Sequence, residues 1–391
     1  MKNKILFVSS LASKKWVESV YQQTNSDPGF AIQKFNRLVV KGLLHNDAKV
    51  TVLSAPPQQQ TNKIAMSSVR EKEEGIVYNY VPYISIPLFK SLCLFFYTFF
   101  YVFVWGLSDR KKKCVICDVL TISVCMGALL GAKFSRTTVV GMITDMFGLV
   151  ARKRQTLKIK IATLLNNIYI NAFDKYILLT EQMNEVVNQY NRPYMIMEAL
   201  CDTIFVKEIS IKAKNHPRTV LYAGGIHEKY GLKMLAEGFL KANVPDAVLV
   251  YYGSGPYVNE YKELCKKYSS LQYRGVAPNE TIIAEEQKAS LLVNPRFTME
   301  AFTKYSFPSK NMEFMASGTP LLTTKLPGMP ADYYPYVFLF EEETVEGYAK
   351  GIREALSYSD KELIEFGKLS KLFVLSNKNC NVQADRILNF L

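Results

Sequence analysis

The sequence predicts an α/β fold in more than one domain, and three observations carry that expectation. Short apolar runs that end at polar residues alternate with stretches of helical spacing along most of the 391 residues. That is the pattern of strands joined by crossover helices. A chain of this length supports two to three domains of ordinary size, each with its own core. Residues 289–320 read as strand, loop and helix, from Ala289-Ser-Leu-Leu-Val-Asn294 through Pro308-Ser-Lys310 to Ser317-Gly-Thr-Pro320.

Composition bounds the class. Hydrophobic residues at 49% and charged residues at 21% suit a globular protein. Seven cysteines, at 93, 114, 117, 125, 201, 265 and 380, form no framework and point to a reducing compartment. Cys114-Val-Ile-Cys117 has metal or redox spacing, but no second pair exists and the segment reads as buried strand. Lys2 and Lys4 before Ile5-Leu-Phe-Val8 imitate a signal peptide; the apolar run is too short, so a first strand is expected. The net charge of +13 is lopsided, with 25 Lys/Arg against 13 Asp/Glu over residues 1–200 and 23 against 22 beyond. Basicity in one half implies an anionic partner, nucleic acid or a membrane surface. No nucleic-acid-binding motif is present, and the basic residues adjoin an apolar run, so no nucleic acid is expected.

In chain order, residues 4–9 are a strand and Ser9-Ser-Leu-Ala-Ser-Lys-Lys15 a polar loop without glycine. Ile32, Phe35, Leu38, Val39 and Leu43 mark a helix, residues 49–53 a second strand and 76–83 a third. Residues 91–107 carry no charge and stand between Lys90 and Asp109-Arg-Lys-Lys-Lys113. They are barely long enough to span a bilayer, and a span would split one sheet across the membrane. A core helix and a helix lying in the membrane interface remain. Tyrosine, tryptophan and the adjacent basic cluster favour the interface, with Phe99 and Phe103 the positions that separate the two. Arg152-Lys-Arg154, Lys158 and Lys160 form a second basic run. Residues 115–120 and 138–144 are strands, and Asp145 follows the second, where open α/β sheets bind ligands. A helix cap is the plainer role for it.

The second half opens with Thr219-Val-Leu-Tyr-Ala223 and Gly224-Gly225, where glycine lets backbone approach a diphosphate. Residues 247–252, 271–275 and 289–294 continue a parallel set. Pro308 and Ser309 start a helix, with the serine oxygen available to its free N–H groups. Such an N-terminus suits an anion. Lys310 stands in its first turn, and Glu313 offers an acceptor pair for a diol such as ribose. Ordinary surface charge at a helix start is the alternative.

Glu313-Phe-Met-Ala-Ser-Gly318-Thr-Pro320 resembles the donor-binding helix of family 4 retaining glycosyltransferases, which have the GT-B fold. That fold is two Rossmann-like doubly wound domains facing a central cleft. The family's Glu-x7-Glu pair places its first glutamate at Tyr305, so contacts to the donor sugar differ here. Tyr305-Ser-Phe-Pro-Ser-Lys310 is similar to a branch that reads Tyr-x-Phe-Pro-Ser-Lys. The resemblance implies an acceptor-binding domain at 1–202, a nucleotide-sugar domain at 203–375, and a helix at 376–391 crossing back. It implies donor contacts at Gly224, Gly225, Lys229, Tyr305, Ser309 and Glu313. Asp145 would meet the reacting sugar and acceptor, while Arg296 and Lys310 replace the phosphate-binding arginine missing after Gly224. No two aspartates stand two apart, so a metal-free mechanism with a UDP- or GDP-linked donor and no cofactor is expected. The acceptor would be a glycan or lipid-linked, at the inner face of the cell membrane, in surface polysaccharide synthesis. An inverting transferase or an epimerase of the same fold would differ chiefly in a catalytic base.

Overall fold

The computed structural model describes residues 3–59, 65–108, 112–146, 166–202 and 214–391. Met1–Leu200 together with Cys380–Leu391 make one unit, and Cys201–Asn379 the other. Both are α/β, as the sequence predicts.

The first unit is built on the strands β1 (Lys4–Ser9), β2 (Lys49–Ser54), β4 (Val69–Glu73), β5 (Ile76–Tyr80), β7 (Lys113–Asp118), β8 (Thr138–Ile143), β9 (Lys175–Leu178) and β10 (Tyr194–Ile196). Their order is β10-β9-β8-β7-β1-β2-β5-β4, parallel throughout except for the β4 edge. β3 (Ala65–Met66) and β6 (Tyr83–Ile84) pair separately. Ile5, Leu6, Phe7 and Val8 are fully buried, the near-continuous apolar run of a strand covered on both faces. The sequence reading missed the β4–β5 hairpin, whose turn is Glu74-Gly75, both at positive φ. It also missed α1 (Lys14–Thr24), which begins inside the expected polar loop and is capped by the Ser13 hydroxyl.

α2 (Phe30–His45) buries Leu38, Val39 and Leu43. A Cβ on Gly42 would stand 2.1 Å from the Cys380 carbonyl. Glycine there lets the helix Cys380–Phe390 lie directly on α2, which is how the chain's end joins the first unit. The uncharged run becomes α3 (Pro87–Leu107), four residues longer at its start than the sequence reading, and it packs on α4 (Ile122–Phe134). β7, which follows α3, pairs with β1, which precedes it, from Lys4↔Lys113 to Val8↔Cys117. One sheet therefore holds strands from before and after α3, and α3 does not cross a bilayer. Arg110, Lys111 and the basic run 152–160 lie outside the described residues.

The second unit is a six-stranded parallel sheet: β11 (Arg218–Ala223), β12 (Ala247–Tyr252), β13 (Leu271–Tyr273), β14 (Leu291–Asn294), β15 (Leu321–Thr324) and β16 (Phe338–Phe340). Its order, β13-β12-β11-β14-β15-β16, reverses direction between β11 and β14. That is the switch point at which doubly wound sheets open a crevice beyond the strand ends.

Candidate functional site

The residues singled out in the second half converge on that switch point. Beyond β11 come Gly224 and Gly225, and beyond β14 comes Arg296. The Arg296 guanidinium sits 4.8 Å from the ring centre of Tyr230 and 5.9 Å from that of Phe302. His227 meets Tyr230 at 5.0 Å. Arg296 Nε is buried without a hydrogen-bond partner among the described residues. Tyr230 and Phe302 pack edge to face with centroids 6.3 Å apart, and a guanidinium beside such a pair keeps its charge and its orientation.

The loops around it are fixed by their carbonyls. Tyr222 Oη donates to the Gly225 carbonyl at 3.0 Å, Tyr348 to Pro295 at 2.9 Å, Tyr273 to Gly253 at 2.8 Å and Tyr251 to Leu232 at 2.8 Å. Burial pushes the Tyr222 phenol up to about 12 despite the opposing charge of Arg296, so it remains a donor at neutral pH. Burial also raises Tyr251 and Tyr348 well above the usual phenol range. Gly253, at φ +128, passes so close that a Cβ would stand 1.8 Å from the Gly224 carbonyl. With the carbonyls anchored beneath, the Gly225 N–H has no partner among the described residues.

The helix Ser309–Ser317 ends at Gly318 in the left-handed conformation, as its sequence predicts. Its start differs from expectation. Pro308 occupies the capping position and Ser309 is the first helical residue, so the Ser309 hydroxyl cannot reach back to cap, and no side chain does. The Ser309 and Lys310 N–H groups are thereby left for a ligand or water, while that of Asn311 donates to the Pro308 carbonyl at 2.9 Å. Lys310 Nζ lies 3.3 Å from Glu313 Oε2, and both side chains are about 30% exposed. The helix thus presents a cation and a carboxylate on one accessible face. Asn311, which sequence reasoning missed, is fully buried and accepts from Asn294 Nδ2 at 2.6 Å. It ties the end of β14 to the first turn of this helix. Its Nδ2 is buried without a partner among the described residues. A buried polar residue in a first turn is the signal that marks it.

Lys229 is exposed, with Nζ 5.5 Å from the Tyr230 ring. Tyr305 is half-buried at the end of the short 3-10 helix Ala301–Lys304.

In the first unit, Asp145 is exposed two residues beyond β8. The loop after β1 lacks glycine and is held by side chains instead. Ser9 Oγ accepts from the Leu11 N–H, Gln33 Oε1 from Ala12, and Tyr80 Oη from Ser13. Gln33 Nε2 donates to the Ser10 carbonyl and Arg37 to that of Ala12. Asp118, at the end of β7, is buried and accepts from Asn36 Nδ2 at 2.8 Å. Burial pushes its carboxyl up to about 6, opposed by the bonds from Asn36 and the Leu120 N–H.

Residues 206–372 match the family described as Glycosyl transferases group 1. No curated protein matches the chain in sequence. Among solved structures, an alpha,alpha-trehalose 6-phosphate synthase from Burkholderia multivorans superposes with a TM-score of 0.63 at 10% identity, covering 100% of this chain and 98% of that one. The lipopolysaccharide outer core galactosyltransferase WaaB gives 0.60 at 12%, covering 99% and 98%. A TarM variant from S. aureus, in complex with Fondaparinux, alpha-GlcNAc-glycerol and UDP, gives 0.59 at 11%, covering 100% and 99%. These likenesses carry the fold over the whole length, and the family match lies within the second unit. The chain has the GT-B fold, and its residues 206–372 match Glycosyl transferases group 1.

Proposed function

We propose that this chain is a retaining glycosyltransferase of the family 4 type. It would move a sugar from a UDP- or GDP-linked donor to a glycan or lipid-linked acceptor in surface polysaccharide synthesis. One observation supports the donor assignment above the others. Arg296, beside the Tyr230 and Phe302 rings, stands at the switch point of the same unit that carries the uncapped helix Ser309–Ser317. A departing nucleoside diphosphate gathers negative charge, and pre-set cations and N–H groups stabilise it without rearranging. Arg296, Lys310 and the backbone at Gly224, Gly225 and Ser309 would take the phosphates, with Lys229 at the rim. Glu313 would bind the ribose hydroxyls, and Tyr305 would border the sugar where the family carries a glutamate.

The first unit would bind the acceptor, with Asp145 beside the reacting hydroxyl. The enzyme would work in the cytoplasm, peripheral to the inner face of the membrane, without a metal. UDP in the TarM complex and an outer-core acceptor in the name of WaaB are consistent with this chemistry in proteins of the same fold. The test is thermal stabilisation by UDP, GDP and their sugar conjugates, followed by product analysis. One nucleotide should raise the melting temperature, EDTA should leave turnover intact, and the product should keep the donor's anomeric configuration. No stabilisation by either nucleotide, a strict need for manganese or magnesium, or inversion would each overturn the corresponding part.

A further inference from the structure

α3 turns four different stripes to four surroundings. Leu94, Thr98 and Val102 point inward and are buried. Tyr97 and Tyr101 meet Ser68 and Asn79 by hydrogen bonds at 3.3 and 2.9 Å. Phe95, Phe99 and Phe103 lie against α4. There Gly127 and Gly131 give no room for a side chain: a Cβ would stand 2.3 Å from the Phe95 carbonyl and 2.6 Å from that of Phe99. The fourth stripe, Phe96, Phe100 and Val104, is exposed, each by half or more. Phe99 and Phe103, which the sequence reading singled out to distinguish lipid from core, are thus half-buried helix contacts, and the stripe one residue on faces outward.

α4 repeats the pattern at every fourth residue. Met126, Leu130 and Phe134 are exposed while Val124, Ala128 and Ala132 are buried. The two outward stripes join through ring contacts, Phe100 to Phe99 at 5.1 Å and Phe99 to Phe134 at 5.8 Å. Neither helix holds a single Asp or Glu; Lys90 and Lys133 lie on them, the latter paired with Asp174, and Lys112 and Arg136 follow them in the chain. An apolar face this continuous is unusual on a monomer surface. A second copy of the chain on it would bring two basic rims together, which like charges oppose. Anionic lipid complements both parts, burying the apolar stripes and neutralising the rim. Close helix approach through small residues is also how helices pack in lipid.

We propose that the joined outward faces of α3 and α4 form one monotopic docking surface for an anionic membrane, with Phe96, Phe100, Val104, Met126, Leu130 and Phe134 entering the acyl boundary. The surface deepens the peripheral-membrane part of the functional reading. Its test needs no donor or turnover, so its failure leaves the sugar-transfer part standing.

The full chain should cosediment with vesicles of equal parts phosphatidylglycerol and phosphatidylcholine, less with phosphatidylcholine alone, and less as salt rises. Phe100→Ser and Phe134→Ser should each weaken binding roughly tenfold, since each removes a buried phenyl group, with circular dichroism and melting unchanged. Lys112→Gln and Arg136→Gln should each cost about fivefold on the anionic vesicles only. Val102→Ser, inside the packing, should instead lower the melting temperature. Absence of wild-type binding at low salt would overturn the proposal, as would serine variants that bind like wild type. A wild-type dimer in light scattering that the serine variants dissociate, without vesicle binding, would reassign the face to self-association.

Discussion

The two units carry opposite groups near the ends of matching strands, Asp118 as the last residue of β7 and Arg296 two residues past β14. β7 is the neighbour of β1 on the far side of the switch, as β14 is of β11. The first unit ends β7 with Asp118, buried and bonded to Asn36. The second follows β14 with Arg296, set beside the Tyr230 and Phe302 rings. The loops differ in the same sense. After β1, the N–H groups of Leu11, Ala12 and Ser13 are all taken by side chains. After β11, tyrosine hydroxyls hold the carbonyls and leave the Gly225 N–H open. One strand-loop-helix frame can thus repel an anion or attract one, depending on which half of each peptide its neighbours consume. By this criterion the nucleoside diphosphate of the proposed reaction would sit on the second unit.

The largest expected effect breaks the comparison at its charged end. Arg296→Ala should lower kcat by about 10²–10³, the cost of removing one pre-set donor to a developing charge, while stability changes by only about 1 kcal/mol. Arg296→Lys should rescue little, because an ammonium does not reproduce a planar, multi-donor group beside the Tyr230 ring. A loss of folding in step with turnover, read by thermal unfolding beside the assay, would make Arg296 structural.

Next in size, Gln33→Leu should cost about 1–3 kcal/mol of stability, leaving the Ala12 N–H and the Ser10 carbonyl unpaired, with nucleotide affinity unchanged. Denaturant unfolding with parallel nucleotide titration checks both halves of that expectation. The pH dependence sharpens the same contrast. Asp118 binds its proton more tightly folded, near 6, than unfolded, so its contribution is full below the ordinary aspartate value and fades as pH rises towards 6. Asp118→Asn should flatten that slope between pH 4 and 6, and an unaltered slope would place its source elsewhere. Smallest, Tyr222→Phe should cost about 0.5–1.5 kcal/mol by releasing the Gly225 carbonyl, and weaken nucleotide binding a few-fold in the same titration.

The second unit's frame was legible because its signals are local. Apolar runs with fixed endings, a helix stopped by Gly318, and Gly224-Gly225 after a strand all lie within a few residues of one another. The missed features depend on distant partners. Nothing near Tyr348 in sequence points to the Pro295 carbonyl, and the Asn294–Asn311 bond joins two polar residues that the chain separates by a whole loop. The glycine-free loop after β1 read only as a polar loop for the same reason, since Gln33 and Arg37 hold it from the next helix but one. Ser309 is a local miss: the cap falls one residue earlier, on Pro308. The apolar run of α3 was legible as apolar, but its outward stripe was fixed only by its packing on Gly127 and Gly131.

The placement of the nucleotide on the second unit is tested most directly by calorimetric titration of UDP and GDP against paired variants. Glu313→Ala removes a charged hydrogen-bond partner of the ribose and should weaken binding about ten- to a hundredfold. Gln33→Leu, in the other unit, should bind like wild type. Unchanged affinity in Glu313→Ala, or a matching loss in Gln33→Leu, would contradict the assignment.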